Sequence, residues 1–171
     1  EDFIPKFLKR IENKNISSKF KSWMKSCQEI KASNPAITKK HRYNPINSYY
    51  LLNRLDKMSE SNHIFVNDAG SANYVSSQTL SFEKGQRELT SGAFYSMGLT
   101  IPLAIGAAAC SPNCQIIAVT GDGSIELNLQ ELQTVSLNNL NIKIFVINNG
   151  GYASIRDSQD NMCGGRYTDD E

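Results

Sequence analysis

Asp122 stands between Gly121 and Gly123 with Ser124 directly after it, and further along Asn148, Asn149, Gly150, Gly151 and Tyr152 follow one another. Glycines beside an acid let the backbone come close to a bulky anion and aim its N–H groups, and a serine near a helix start adds a hydroxyl donor. That combination suits a diphosphate. A single carboxylate is also what Mg²⁺ ordinarily takes from protein when phosphate oxygens and water fill its remaining octahedral positions. The side-chain oxygen of Asn149 and the carbonyl of Gly151 could then join Asp122 in the metal shell. Each motif taken alone reads equally well as a turn, because Gly, Asn and Asp are the residues turns use. The chemistry therefore depends on whether the fold brings the two loops together.

Three short apolar runs, His63–Asn67, Gln115–Thr120 and Ile142–Ile147, are unbroken by polar alternation and are separated by helix-length stretches. That pattern predicts strands covered on both faces in a parallel sheet. The expected class is α/β, doubly wound, a mostly parallel sheet with helices on both faces. The Gly121 loop follows the second run and the Asn148 loop the third, so both lie at carboxyl ends of strands one right-handed crossover apart, where such sheets bind ligands. Asp122 and Asn149 are expected to face one another across a crevice. Gly98 to Ala109, rich in Gly and Ala, suits a helix packed closely against a backbone. Upstream, Phe3, Phe7, Leu8 and Ile11 form one helical stripe, and Phe20, Trp23, Met24, Cys27 and Ile30 form another with Ser17 and Ser18 as candidate N-caps. A third helix carrying Tyr50, Leu51, Leu55 and Met58 should follow a cap at Asn47, after punctuation at Asn34-Pro35 and Asn44-Pro45.

With 171 residues, 40% of them hydrophobic, the chain has the size of one ordinary globular domain. Residues 1–45 carry eleven Lys and Arg against four Asp and Glu, a basic helical lead-in to a more acidic remainder. Those lysines alternate with apolar residues and lack an aromatic platform, which favours a solvated helix face over a nucleic-acid partner. Cys27, Cys110, Cys114 and Cys163 include no C-x-x-C pair, and the two histidines form no H-E-x-x-H or similar cluster, so no zinc site is expected. No signal-like start is evident, and the longest apolar stretch, Leu99 to Cys110, is too short for a bilayer and contains Pro102. A soluble protein of the reducing cytoplasm, with buried or incidental thiols and no membrane partner, is the expectation.

The complete stretch from Gly121 to Thr134, followed by a strand and then Asn148-Asn149, resembles the signature of thiamine diphosphate (ThDP) dependent enzymes, in which G-D-G-S and N-N are set some two dozen residues apart. Upstream, the run from Thr90 to Ala107 is similar to the S-G-G-x-G-x-M-G-x-x-x-P-x-A-x-G-A run of acetolactate synthases and their relatives. The resemblance implies that Met97 wedges between the two rings of the cofactor, with the backbone about Tyr95, Ser96 and Met97 holding the pyrimidine. Without that run, Met97 would read as a filler of a core gap. It further implies that Gly70, Ser71 and Ala72 touch the diphosphate together with Gly121, Gly123, Ser124 and Tyr152, while Asp122, Asn149 and Gly151 hold Mg²⁺. Residues 68–73 lack the Gln-His pair of the synthases, and Gly92-Ala93 replaces their usual two glycines. The tail through Ile155, Arg156 and Gln159 is closer to the broader relatives.

In that family the glutamate that protonates the pyrimidine lies on a separate pyrimidine-binding domain, usually of a neighbouring subunit, and a middle domain holds FAD in some members. Neither is expected in these residues, which read as one domain of a longer homodimeric or homotetrameric enzyme, silent by itself. Glu126 and Glu131 should fall on a helix after Ser124, with Glu131 bracing the diphosphate loop. The resemblance implies decarboxylation of a 2-oxo acid such as pyruvate and transfer of the acyl anion equivalent to a second carbonyl. Decarboxylation without ligation and a binding module without turnover are the alternatives.

Overall fold

Strand formation follows the apolar runs. In the computed structural model, which describes residues 2–12, 14, 16–38 and 46–167, the strands are β1 (His63–Asn67), β2 (Arg87–Thr90), β3 (Gln115–Gly121) and β4 (Ile142–Ile147). All neighbours pair in parallel, in the order β2-β1-β3-β4. β1 and β4 have the expected bounds and β3 runs one residue further. β2 is the strand that the apolar pattern did not reveal, because Arg-Glu-Leu-Thr at a sheet edge need not be hydrophobic.

Alternate residues of the central strands serve two cores. Phe65, Ile117 and Val119 face α4 (Ser48–Met58) and α5 (Ser71–Thr79) through Leu52, Ala72 and Val75. Ile64, Val66, Ile116 and Ala118 face α6 (Thr100–Cys110) through Ala104, Ala107 and Ala108. The sheet is thus wound on both sides, as expected. Three alanines on one face of α6 let its backbone lie close to the strands, and Pro102 falls in the first turn, where its missing N–H has no helical partner to lose. α4 begins after Asn47, whose side chain accepts the Tyr49 N–H at 2.9 Å.

After β3 the chain enters α7 (Asp122–Glu126), turns, and continues as α8 (Glu131–Leu137); after β4 comes α9 (Ala153–Cys163). The helix after the Gly121 loop therefore starts at Asp122 rather than beyond Ser124, and it breaks between Glu126 and Glu131. All of these elements belong to a compact unit spanning Ile37–Glu171.

A second unit, Glu1–Ala36, holds α1 (Phe3–Ile11), α2 (Ile16–Lys19) and α3 (Lys21–Ser33). Neither α1 nor α3 has a buried residue. Phe3 stacks on Phe7 with ring centres 5.9 Å apart. Ser17 and Ser18 lie inside α2 rather than capping the long helix, whose N-cap position is Phe20 and carries no side-chain bond. The Asn44-Pro45 break falls outside the described residues. Among those residues no helix is long and apolar enough to cross a membrane. The four thiols are free, three of them exposed and Cys114 partly so, which agrees with incidental rather than buried thiols.

Candidate functional site

The chain leaves β1 to reach β2 on one side and later enters β3 on the other, so the strand order reverses between β1 and β3. Crevices in open parallel sheets form at such a switch point, outside the carboxyl ends of the strands. A crevice of about 240 Å³ opens there. All four strands contribute to it: Gly70 and Ser71 after β1, Tyr95 and Met97 after β2, Gly121, Asp122, Gly123 and Ser124 after β3, and Asn149 and Tyr152 after β4. Ile155 and Ser154 of α9 close its side.

Asp122 ties two of these loops together. Its Oδ2 accepts the N–H groups of Asn149 at 2.9 Å and Gly151 at 2.8 Å, and its Oδ1 accepts the N–H of Gly123 at 2.8 Å. Burial would push the Asp122 carboxyl up, yet hydrogen bonds from the backbone N–H groups of Gly151, Gly123, Asn149 and Gly150 hold it below the ordinary carboxylate value. The group is therefore an anion throughout the neutral range. Gly151 does not line the crevice itself, but its N–H bond sets it beside Asp122.

The oxygens nearby are little used. Asn149 Oδ1 accepts only the Ala153 N–H, at 3.4 Å, and the Gly151 carbonyl has no donor among the described residues. No cluster of three His, Cys, Asp or Glu side chains occurs among them either. What the site offers a cation is one carboxylate, one amide oxygen and one backbone carbonyl. Such hard oxygen donors fit Mg²⁺ shared with phosphate and water, and do not fit zinc.

A Cβ at Gly123 would stand 2.8 Å from the ring of Tyr152, so a side chain there would displace that ring. Tyr152 itself holds the left-handed conformation at φ 48°, and so does Tyr95 at φ 45°. Backbone strain of this kind in bulky residues gathers at ligand sites.

Two expected contacts are not brought together with the rest. Ala72 turns its side chain into the core beside Phe65 and Val75, since the second residue of α5 faces the sheet. Ser96 is exposed and lines no part of the crevice. Glu131 does not brace the loop before it: its Oε2 accepts the Thr134 hydroxyl at 3.4 Å within its own helix. Glu126 is exposed at the end of α7.

The bracing is done by residues whose roles sequence patterns do not signal. Asp68, only 3% exposed at the end of β1, accepts four hydrogen bonds. They come from the N–H of Ala69 at 2.8 Å, the N–H of Gly98 at 3.2 Å, and the hydroxyls of Thr100 at 2.7 Å and Thr120 at 2.8 Å. The Asn128 side chain donates to the Gly98 carbonyl at 2.8 Å. Both backbone polar groups of Gly98, the residue after Met97, are thereby fixed. Tyr74 of α5 and Ser154 of α9 share a hydrogen bond of 3.2 Å, joining the β1 and β4 sides of the crevice.

Comparison with known proteins gives one family match: a family described as thiamine pyrophosphate enzyme, C-terminal TPP binding domain, matches residues 68–171. The chain is 33% identical over 115 residues to the acetolactate synthase isozyme 1 large subunit of Escherichia coli (strain K12), covering 67% of this chain and 20% of that protein. Over 130 residues it is 33% identical to acetolactate synthase 1, chloroplastic, of Nicotiana tabacum, covering 76% and 19%. To the acetolactate synthase large subunit of Cyanidium caldarium it is 37% identical over 117 residues, covering 68% and 20%. The chain spans about one fifth of the length of these curated relatives.

Proposed function

Because this chain belongs to the thiamine pyrophosphate enzyme family, as an acetolactate synthase-like C-terminal cofactor-binding domain, we propose that it serves an enzyme that decarboxylates a 2-oxo acid such as pyruvate and transfers the two-carbon unit to a second carbonyl. The observation that carries the reading is the junction at Asp122, where one carboxylate gathers the β3 and β4 loops at the switch point of the sheet.

In this reading Asp122, Asn149 Oδ1 and the Gly151 carbonyl hold Mg²⁺. The backbone of Gly70, Ser71, Gly121 and Gly123 and the Ser124 hydroxyl receive the diphosphate, for which close backbone approach is needed. Tyr152 walls the crevice on the β4 side, and Tyr95 and Met97 meet the ring end. Bound there, ThDP would supply the nucleophilic carbon and the electron sink for decarboxylation, and the protein supplies position, charge and exclusion of water. Pockets that enclose a ligand of this size measure about 300–1,000 Å³, and the crevice, at about 240 Å³, is smaller. The remaining wall, with the activating glutamate, is assigned to the pyrimidine-binding domain of a neighbouring subunit in a homodimer or homotetramer.

Calorimetric titration of the full-length protein with ThDP at fixed Mg²⁺ tests the site. Asp122→Ala should abolish Mg²⁺-dependent binding, and Asn149→Ala should weaken it, because water replaces a neutral ligand at lower electrostatic cost. Unchanged affinity in Asp122→Ala removes the proposal. Products from pyruvate then decide the reaction: a ligated hydroxy-oxo acid supports transfer, and the aldehyde alone points to simple decarboxylation.

A further inference from the structure

Arg156, on the first turns of α9, turns back onto the loop that precedes its own helix. Its Nη1 donates to the Gly150 carbonyl at 2.6 Å and its Nη2 to the Asn149 carbonyl at 3.2 Å. Among the described residues it makes no ion pair. One planar guanidinium thus spans two consecutive carbonyls, a geometry that a lysine ammonium cannot reproduce.

The consequence lies on the opposite side of the loop. The Gly150 carbonyl and the Gly151 N–H belong to one peptide unit, so with that carbonyl drawn toward Arg156 the N–H points to Asp122 Oδ2, which also accepts the N–H of Asn149 from an earlier unit. The N–H of Gly150 is taken by the Asn148 side chain at 3.2 Å. Every N–H of the three residues is then used, and so are two of the three carbonyls. The carbonyl left over is that of Gly151. Gly150 and Gly151 have φ of +80° and +81°, so nothing in their own sequence preference holds the peptides in this orientation. An external clamp is required, and the guanidinium provides it on the carbonyl side while Asp122 Oδ2 holds the N–H side.

We propose that Arg156 is a positioning residue for the metal site: by pinning the Asn149 and Gly150 carbonyls it presets the Gly151 carbonyl and the Asn149 side chain for Mg²⁺ and thereby sets the metal affinity, without touching metal, cofactor or substrate. This rests on the proposed Mg²⁺ and ThDP site and adds a residue outside it. The fixed positive charge behind the loop works slightly against a cation, so the role is geometric, and removing the side chain should weaken rather than strengthen Mg²⁺ binding.

The test is the Mg²⁺ concentration that half-saturates ThDP binding to the full-length protein, read by calorimetry or by quenching of intrinsic fluorescence in wild type, Arg156→Gln and Arg156→Lys. Loss of two charge-assisted hydrogen bonds should raise it about tenfold in Arg156→Gln, and by about threefold in Arg156→Lys, which keeps one bond. At saturating Mg²⁺ the ThDP affinity should return to within about twofold of wild type, which a general loss of structure would not allow. An unfolding midpoint measured without ligand shows whether the variants are folded. Unchanged half-saturation in folded Arg156→Gln overturns the inference, and so does a defect that excess Mg²⁺ does not relieve. Failure of wild type to bind ThDP at any Mg²⁺ concentration would instead bring down the functional reading on which it rests.

Discussion

A carboxylate that collects N–H groups from two loops does two tasks at once, and Asp122 shows how the tasks are linked. Its charge is stabilised by the backbone N–H groups of Gly123, Asn149 and Gly151, and the same bonds hold the β3 and β4 loops together. Because its folded pKa is depressed, the stability it contributes is fully present above the ordinary carboxylate value of about 3.9 and is lost as pH falls through the lowered folded value. In urea denaturation, the difference in midpoint between wild type and Asp122→Asn should therefore stay constant from neutral pH down to about pH 5. It should shrink only in stronger acid. A difference that peaked near neutrality would mean that another group carries the effect. Asp122 and Asn149 were legible in the sequence because each sits in a local motif of unusual composition. Asp68 was not legible as a brace, since three of its four donors come from β3, from α6 and from the approach to α6, and reach it only after the sheet has formed.

Among the elements, the approach to α6 is the most tightly determined. Gly98 has φ +80°, and a Cβ there would meet Leu127 Cβ at 2.7 Å and the Ser124 carbonyl at 3.1 Å. Both of those atoms belong to α7 or the turn after it, so Gly98 is where the Met97 segment leans on the segment that carries Asp122. Gly98→Ala should destabilise the protein by about 2–3 kcal/mol, from a left-handed backbone imposed on alanine and overpacking against a rigid carbonyl. The chemical denaturation midpoint reports it. A cost below about 0.5 kcal/mol, the range of ordinary surface changes, would show that the two segments yield to one another. Periodicity read β1, β3 and β4 well because a doubly covered strand has to be continuously apolar. It missed β2, whose Glu88 instead accepts hydrogen bonds from Asn67 at 2.7 Å and Ser76 at 3.1 Å. The break between α7 and α8 was equally invisible, being set by Asn128 turning to the Gly98 carbonyl rather than by a proline or glycine.

At the scale of the whole molecule, the described residues form a crevice that the proposed reading gives to the diphosphate end of the cofactor, and little else of a catalytic apparatus is found among them. Asp122 is the only carboxylate lining it among the described residues, and the proposed reading commits that group to the metal. Glu126 is exposed and Glu131 bonds within its own helix. Proton transfer needs a donor within hydrogen-bond reach of the acceptor, so in the proposed reading the carboxyl that activates the pyrimidine comes from outside the described residues. Ile155, which lines the crevice with Met97, is exposed, and a ligand left half solvated there gains little from burial. The 171-residue chain by itself should therefore bind ThDP and Mg²⁺ weakly and turn over nothing. Incubating it with ThDP, Mg²⁺ and pyruvate, while following CO₂ release and deuterium exchange at C2 of the cofactor, checks both parts. Exchange should stay at the rate of the free cofactor, with no CO₂ above background. If exchange instead rises well above that rate, an activating group lies within these residues, and the assignment of cofactor activation to another domain is wrong. In the proposed reading the full-length protein should show exchange and CO₂ release together, because both depend on one proton donor outside the described residues.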